Sequence, residues 1–353
     1  MTTVRVEARS ARRRRLTVIV LTVAALTAVV LSVAVGSVTI DPTRVVTIIL
    51  DKITPWPVPC AASDVQARII WDFRLPRALL GFVVGAALAV AGAVLQAVVR
   101  NPLADPYVFG VSSGASAAAV AVLTLAAGVF SFVSVPLAAF LGALATTLIV
   151  FALAQRRGRV TPGRLVLAGV AMSYLLSAVT SYLVLRSTLP GQSNVGQVLS
   201  WLSGSLAAAD WDDLGIPAVV LVVATVLLVL LARVLNAFLI GDETATSLGV
   251  DVGRMRLVLF LVTSLLVGVV VAVSGAIGFV GLVVPHAVRM VVGSDHRWVL
   301  PVSALAGGLL LVVVDIIARL IIAPSELPVG LLTAAIGAPF FLWMLRRQSR
   351  GEA

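Results

Sequence analysis

The strongest constraint on this chain is a pair of long apolar segments within residues 74–116, joined by a proline-containing break. The first segment follows Arg77 and stays uncharged until Arg100. An apolar run of roughly 20 residues is long enough to cross a bilayer as a helix. Residues 101–106, Asn-Pro-Leu-Ala-Asp-Pro, then interrupt it. Because each proline removes a backbone donor and restricts the residue before it, one helix cannot continue through this break. The sequence therefore predicts two membrane-spanning helices joined by a polar turn.

The composition of the whole chain fits a polytopic membrane protein. Hydrophobic residues make up 60% of the 353 residues and charged residues 12%, with a mean hydropathy of +1.11. Soluble domains are typically about 45–50% apolar and about 25% charged. The net charge of +10 comes from short basic clusters between apolar runs, which is the topogenic pattern of membrane proteins and not a nucleic-acid footprint. Cys60 is the only cysteine, which excludes an intrachain disulfide and a thiolate metal cluster.

The apolar runs predict an all-α protein with about ten transmembrane helices. Two belong to residues 74–116, and the others are 16–38, 133–154, 165–185, 214–235, 254–273, 276–292, 299–322 and 328–345. An even number of spans places both termini on the same side, and arginine-rich loops on that side predict that it is cytoplasmic. A cleaved signal peptide is the alternative for the first span. Its apolar part exceeds the usual signal core of about 7–15 residues, which favours a retained helix.

These spans predict one transmembrane domain with short polar ends. Residues 1–15 form a basic cytoplasmic head, residues 16–346 the membrane domain, and residues 347–353 a cytoplasmic tail. Residues 39–73 are predicted to be a long outer loop. Its several basic residues depart from the charge bias that the other loops follow.

A polar segment at residues 237–252, between the sixth and seventh spans, carries helix signals of its own. Gly241 or Asp242 can begin a helix, Glu243 suits its first turn, and Gly249 can end it. The prediction is a short cytoplasmic helix with Ala245 and Leu248 on one face. Two interpretations are open: a helix that lies on the bilayer surface, or a docking helix for a cytoplasmic partner.

Few residues in the spans could support chemistry. His286 and His296 are the only histidines and lack metal-ligand spacing, and the chain has no phosphate-binding P-loop motif. Asp315 is the clearest acid within a span, at a cost of about 2.5–3.5 kcal/mol unless it finds a partner. Arg319, four residues later, can pair with it on one helix face. The pairing favours a structural ion pair over a proton relay, which argues against the alternative of an ion-coupled secondary transporter. The two histidines supply no catalytic set, which argues against the alternative of a membrane-embedded enzyme.

Ten sequence motifs, which follow one another along nearly the whole chain, resemble one family. They are RLPR at 74–77, GAxLAxxGxxxQ at 85–96, NPLADP at 101–106, GVSSGA at 110–115, LAGV at 167–170, GDETATSLGV at 241–250, GAIGFVGLVVPHAVR at 275–289, DHRWVLP at 295–301, DIIARL at 315–320 and ELPVGLLTAAIGAPFFLWML at 326–345. The chain resembles ABC-transporter permeases that import iron-siderophores, haem and cobalamin. The resemblance implies the ten-helix type II importer fold.

The resemblance also implies roles for particular residues. Arg74 and Arg319 match outer-face arginines that pair with glutamates of an extracytoplasmic substrate-binding protein. The 241–249 segment matches the coupling helix that sits in a separate ATPase subunit, with contacts expected at Gly241, Asp242, Glu243, Ala245, Leu248 and Gly249. The cytoplasmic gate corresponds to Asn101, Leu103, Thr161, Pro162 and Gly163. Pro162-Gly163 departs from the hydroxyl-bearing residues of the cobalamin importer at that point.

The implied assembly is an importer in a bacterial cell membrane. Its expected partners are two cytoplasmic ATPase subunits, a substrate-binding protein and a second permease subunit, which is either a copy of this chain or a similar one. The chain itself is expected to bind no cofactor, metal or nucleic acid and to have no enzymatic activity, since the partner subunit uses the ATP. Ferric siderophore is the first expectation for the substrate, with haem and cobalamin as alternatives.

Overall fold

The computed structural model describes residues 2–36, 39–54, 64–125, 133–156, 159–188 and 195–349, and Cys60 lies outside these ranges. The first half contains α1 (Thr2–Ala34), α2 (Pro42–Ile53), α3 (Asp64–Arg68), a π-helical turn (Ile69–Arg74), α4 (Leu75–Val99), a 3-10 turn (Pro106–Phe109), α5 (Val111–Leu125), α6 (Val135–Ala154), a hairpin of β1 (Gln155–Arg156) and β2 (Arg159–Val160), and α7 (Pro162–Ser187). The second half contains α8 (Val195–Leu202), α9 (Asp212–Leu230), α10 (Ala232–Ile240), α11 (Asp242–Ser247), α12 (Val252–Ser274), α13 (Val280–Val292), α14 (His296–Leu320) and α15 (Val329–Ser349).

The predicted all-α architecture with about ten spans is confirmed. Within the described residues, 7 helical segments are long and apolar enough to cross a membrane, namely Arg12–Ala34, Val65–Val99, Val135–Ala154, Pro162–Ser187, Asp212–Leu230, Val252–Ser274 and His296–Leu320. Three shorter apolar helices occupy the remaining predicted positions, Val111–Leu125, Val280–Val292 and Val329–Leu342. The eighth predicted span is shorter than expected because residues 276–279, which precede α13, are not helical.

Helix α4 forms the centre of the bundle, and nearly all of its residues are buried. Glycines bring its backbone into direct contact with two other helices. A Cβ atom at Gly85 would collide with the carbonyl oxygen of Gly307 in α14, and one at Gly92 would collide with that of Gly281 in α13. Small residues at helix crossings allow this close approach, which supplies much of the packing energy between helices in lipid. The close spacing of α4 against α13 and α14 therefore depends on these glycine pairs.

The segment predicted as an outer loop, residues 39–73, contains α2, α3 and the π-helical turn among its described residues. Helix α2 begins after Asp41, whose carboxylate accepts the Thr43 N–H at 2.8 Å, and proline occupies its first position. One apolar face of α2 is buried, with Val45 and Ile48 packed in a cluster that includes the end of α1. The sequence analysis did not predict α2. This helix is too short to span a membrane, and its amphipathic pattern resembles that of an irregular segment.

Candidate functional sites at the two ends of helix α4

The first site is a cluster of charged residues at the N-terminal end of α4. Arg77 lies in the first turn of α4, and its Nη2 and Nε atoms donate to the Asp315 carboxylate of α14 at 2.8 and 3.1 Å. Arg319 Nε lies 3.2 Å from the same carboxylate, which confirms the predicted pair within α14. Asp315 is 1% exposed, so two guanidinium groups offset the cost of burying its charge. Glu326 binds the other side of Arg77 at 2.7 Å. We refer to these residues and Arg74 as the arginine cluster.

Arg74 and Arg319 both bind the end of α1 as well. Arg74 Nη1 donates to the carbonyl oxygen of Val33 at 2.9 Å. Arg319 donates to the carbonyl oxygens of Val35 at 3.1 Å and Ser32 at 3.0 Å. Cations at a helix C-terminus are stabilised by the last carbonyl groups and the helix dipole. The Arg319 side chain is only 7% exposed, so this arginine lies below the surface and is tied to two helices.

A cavity of about 340 Å³ opens beside the arginine cluster. The guanidinium groups of Arg74, Arg77 and Arg319 all line it, and Phe73 stands at its edge with 67% of its surface exposed. Three arginines against the two carboxylates of Asp315 and Glu326 leave this pocket with a net positive charge. Its chemistry suits a carboxylate from outside the chain.

The second site lies at the other end of α4, which is 25 residues long and therefore spans about 37 Å. Here α11 runs between two glycines in positive-φ conformations, Gly241 at +139° and Gly249 at +82°. These are conformations that L side chains rarely adopt, so glycine sets both ends of the helix. The predicted short helix between these two glycines is confirmed, with Asp242 and Glu243 in its first turn.

The prediction that Ala245 and Leu248 share one face is wrong. Ala245 is fully buried, whereas Leu248 is 66% exposed. The reason is that Leu248 is the C-cap of α11, with φ −82° and ψ 6°, and no longer follows the helical path. Ala245 therefore anchors α11 to the bundle, while Leu248 and the exposed Glu243 remain available to a partner.

Asp242 connects α11 to its surroundings through two arginines. Both oxygens of its carboxylate accept from Arg256 Nη2 of α12, at 3.0 and 3.1 Å. Arg100, which follows α4 in a left-handed conformation, places its Nη2 atom 3.8 Å from Asp242. Arg256 Nη1 also donates to the carbonyl oxygen of Val160 at 2.7 Å. We call Arg100, Asp242 and Arg256 the Asp242 cluster. None of its arginine contacts was predicted from the sequence.

The predicted gate residues occupy two turns next to this cluster. Asn101 follows Arg100, and its side-chain oxygen accepts the Leu103 N–H at 2.9 Å. Thr161 follows Val160 as the N-cap of α7, with Pro162 in the first helical position. Proline is well suited there because that N–H has no helical partner. The Cβ position of Gly163 faces open space.

One buried acid follows the Asn101 turn. Asp105 accepts the N–H of Tyr107 at 2.8 Å and caps the 3-10 turn. Burial raises the pKa of this carboxyl to about 6, although the hydrogen bond from Tyr107 acts in the opposite direction. The turn between α4 and α5 is thus fixed by its own polar side chains.

A further polar network, which sequence reasoning missed, joins α10 to the start of α14. The Asn236 side chain donates to Asp295 at 2.8 Å, and its oxygen lies 2.8 Å from Nδ1 of His296. Burial acts to raise the pKa of Asp295, but hydrogen bonds from Asn236 and the backbone of Arg297 outweigh it and leave the pKa lowered. His296 is fully buried, so we interpret it as a structural residue. Across the described ranges, no group of three or more His, Cys, Asp or Glu could hold a metal ion.

A bundle of about ten apolar helices, with an anchored surface helix at one end and a cationic pocket at the other, defines a multi-pass membrane transport protein. The chain matches the FecCD transport family over residues 22–347. This match covers most of the sequence, and the chain belongs to that family.

Curated relatives and a solved structure agree with this assignment. The chain is 44% identical to the cobalamin import system permease protein BtuC of Halobacterium salinarum, over 92% of this chain and 88% of that protein. It is 43% identical to the Fe(3+) dicitrate transport system permease protein FecD of Escherichia coli, over 82% and 91%. A metal-chelate type ABC transporter in an inward-facing conformation matches with a TM-score of 0.80 and 30% identity, over 94% of this chain and 98% of that one.

The chain is therefore the permease of an ABC importer, with a transport role. Permeases of this kind work with ATPase subunits and a substrate-binding protein. This assignment excludes the ion-coupled secondary transporter and the membrane-embedded enzyme that the sequence left as alternatives.

Proposed function

We propose that this permease translocates ferric-siderophore complexes, which an extracytoplasmic binding protein delivers, across a bacterial cell membrane. The relatives named above are a cobalamin permease and an Fe(3+) dicitrate permease, and the solved structure is of the metal-chelate type. All three names refer to metal chelates. Ferric siderophores belong to that chemical class, and the Fe(3+) dicitrate permease supports a ferric chelate as the substrate. Cobalamin is the second candidate, supported by the relative from Halobacterium salinarum, and haem is the third.

The observation that best supports ATP-driven import is the construction of α11. It is a short helix between two positive-φ glycines, anchored by Ala245 and Asp242, with Glu243 and Leu248 directed outward. In the proposal, α11 is the coupling helix, and an ATPase subunit contacts its exposed residues. Closure of two ATPase subunits on ATP then moves α11 as a rigid body, a kind of shift that switching proteins commonly use.

The arginine cluster is the proposed docking site for the binding protein. Arg74 and Arg319 line a cationic pocket at the opposite end of α4 from α11, as expected if that end faces outward. Glutamate side chains of a binding protein would enter this pocket. Charge pairs of this type set the orientation and the association rate of a complex more than its affinity.

The two turns beside the Asp242 cluster are the proposed cytoplasmic gate. Asn101 and Leu103 form one side, and Thr161, Pro162 and Gly163 the other. Helix α7, which follows the second turn, has large exposed side chains, including Leu167 at 71%, Tyr174 at 77% and Leu185 at 68%. We place a second permease subunit, either a copy of this chain or a similar one, against this exposed face. The translocation path then runs between the two subunits.

Uptake assays in cells test this function. Radioactive iron bound to siderophores, haem and labelled cobalamin are each supplied to cells with the gene, without it, and with the gene restored. We expect deletion to abolish uptake of iron-siderophore and restoration to recover it, with haem and cobalamin unaffected. If deletion abolished uptake of cobalamin alone or of haem alone, that compound would become the assigned substrate. Unchanged uptake of all three would contradict it.

A further inference from the structure

We propose that Arg256 transmits movement of α11 to one side of the cytoplasmic gate and Arg100 transmits it to the other, both acting through the single carboxylate of Asp242. This inference rests on the proposed function, because it assigns a pathway to the coupling that α11 provides. It concerns two arginines outside the motifs that carry the family resemblance. Arg256 lies in α12, a membrane-spanning helix, and touches neither a substrate nor a nucleotide in the proposed mechanism.

The guanidinium group of Arg256 makes two contacts, one through each of its terminal nitrogens. Its Nη2 atom holds both oxygens of Asp242 in α11, and its Nη1 atom holds the carbonyl oxygen of Val160 at 2.7 Å. Val160 immediately precedes Thr161 and pairs with Gln155 in the short hairpin before α7. One planar guanidinium group thus joins α11 to the residue that leads into one gate turn. The rigid fork of arginine is suited to holding two acceptors at a fixed separation.

The same carboxylate reaches the other gate turn. Arg100 Nη2 lies 3.8 Å from Asp242, and Arg100 immediately precedes Asn101. Asp242 therefore stands between the residues that lead into the two turns, and it is the first helical residue after Gly241. Gly241 precedes it with a φ of +139°, and in the proposed mechanism a shift of α11 moves Asp242 because this residue belongs to the helix.

Burial of Arg256 holds its ion pair with Asp242 in place. The Arg256 side chain is 4% exposed, whereas Arg100 is 42% exposed. The guanidinium group of Arg256 also lies over the ring of Phe238 in α10, 5.7 Å from the ring centre. A cation buried in this way is strongly destabilised if it loses its carboxylate. When α11 shifts, Asp242 and Arg256 should therefore move together, and Val160 should move with them. The exposed contact to Arg100 is weaker, because solvent screens it.

The test compares five variants of the complete transporter in proteoliposomes: Asp242→Asn, Arg256→Gln, Arg256→Lys, the double variant Asp242→Asn with Arg256→Gln, and Arg254→Gln. Arg254 is the matched control, since it lies two residues away in α12 and pairs with Asp251, but its side chain is 89% exposed. Three quantities are measured: copurification of the ATPase subunits, ATP hydrolysis, and ATP-dependent uptake of a ferric siderophore.

We expect Asp242→Asn to lower uptake per ATP hydrolysed about tenfold in the complexes that retain their ATPase subunits, within the usual range of coupling free energies. The double variant should be no worse than the worse single variant, because both changes break the same link. Arg254→Gln should behave as wild type. Arg256→Lys, which keeps the charge but loses the two terminal nitrogens, should recover folding without recovering uptake per ATP.

Two outcomes would overturn the inference. One is wild-type uptake per ATP in Asp242→Asn. The other is additive loss in the double variant, which would place the two residues on separate pathways. If Arg256→Gln fails to assemble, Asp242→Asn and Arg256→Lys still decide the question. Absence of ATP-dependent uptake in the wild-type complex would instead contradict the proposed function, so the two failures are distinguishable.

Discussion

The two ends of α4 carry ionic clusters that look alike in composition but differ in construction. In the arginine cluster, Asp315 is 1% exposed and is held between Arg77 and Arg319, which come from two membrane-spanning helices. In the Asp242 cluster, the Asp242 side chain is 36% exposed and belongs to a six-residue helix between two glycines. The first carboxylate is fixed in the bundle. The second is placed on the short helix that moves in the proposed mechanism.

This difference assigns the two clusters different tasks. A buried acid between two buried arginines cannot change partners without a large penalty, so the arginine cluster holds α1, α4 and α14 in register and presents a fixed cationic pocket. A half-exposed acid beside a glycine hinge can shift with its helix. Fixed geometry suits recognition of an incoming protein, and mobile geometry suits transmission of an ATP-driven motion.

The largest expected effect is on stability, at the fixed end. Asp315→Ala should lower the free energy of unfolding by about 3–5 kcal/mol, because it removes the buried carboxylate that Arg77 and Arg319 share. Of these two arginines, Arg77 keeps its ion pair with Glu326. Unfolding of the purified permease in detergent micelles measures this loss. The control is Asp72→Ala, which removes an exposed carboxylate and should change the value by less than about 0.5 kcal/mol. Equal stability of the two variants would contradict the description of the arginine cluster as fixed in the bundle.

The next effect is on docking. Arg74→Glu should weaken binding of the substrate-binding protein at least about tenfold, since like charges would face each other across the interface. Arg68→Glu reverses a charge outside the pocket and serves as the control. Affinity is measured with the permease in lipid nanodiscs, and ATPase copurification should be unchanged. We choose Arg74 because Arg319→Glu would also break the pair with Asp315. Wild-type affinity in Arg74→Glu would remove the docking assignment.

A smaller effect is expected at the mobile end. Leu248→Asp should reduce copurification of the ATPase subunits about tenfold, because it places a charge on the exposed apolar side chain that the partner would bury. Glu243→Arg should act in the same direction, and Leu248→Met, which keeps an apolar side chain, should have no effect. If Leu248→Asp retains the ATPase fully, α11 is a surface helix and not a coupling helix.

How much of this could be read from the sequence depends on the distance between partners along the chain. The limits of α11 were predictable, because Gly241 and Gly249 are local signals. The pair Asp315–Arg319 was predictable because residues four apart share a helix face. Arg77 and Asp315 are separated by 238 residues, and only the packing of α4 against α14 brings them together.

The two misses have different physical origins. Ala245 and Leu248 were assigned to one face on helical spacing, but the helix ends at Ser247 and Leu248 turns outward. Arg256 gave no signal, since an arginine near the start of an apolar span is usually a topogenic charge at the membrane edge. Its role became visible only when the fold placed it between Asp242 and Val160.

The most direct test of this division of labour is the amount of ferric siderophore imported per ATP hydrolysed, compared between Arg74→Glu and Asp242→Asn in the reconstituted transporter. We predict that Arg74→Glu lowers uptake and stimulated ATP hydrolysis together, so that the ratio stays at the wild-type value. Asp242→Asn should lower the ratio about tenfold in the complexes that retain their ATPase subunits. If both variants change the ratio equally, the two ends of α4 do not have separate tasks, and the account is contradicted.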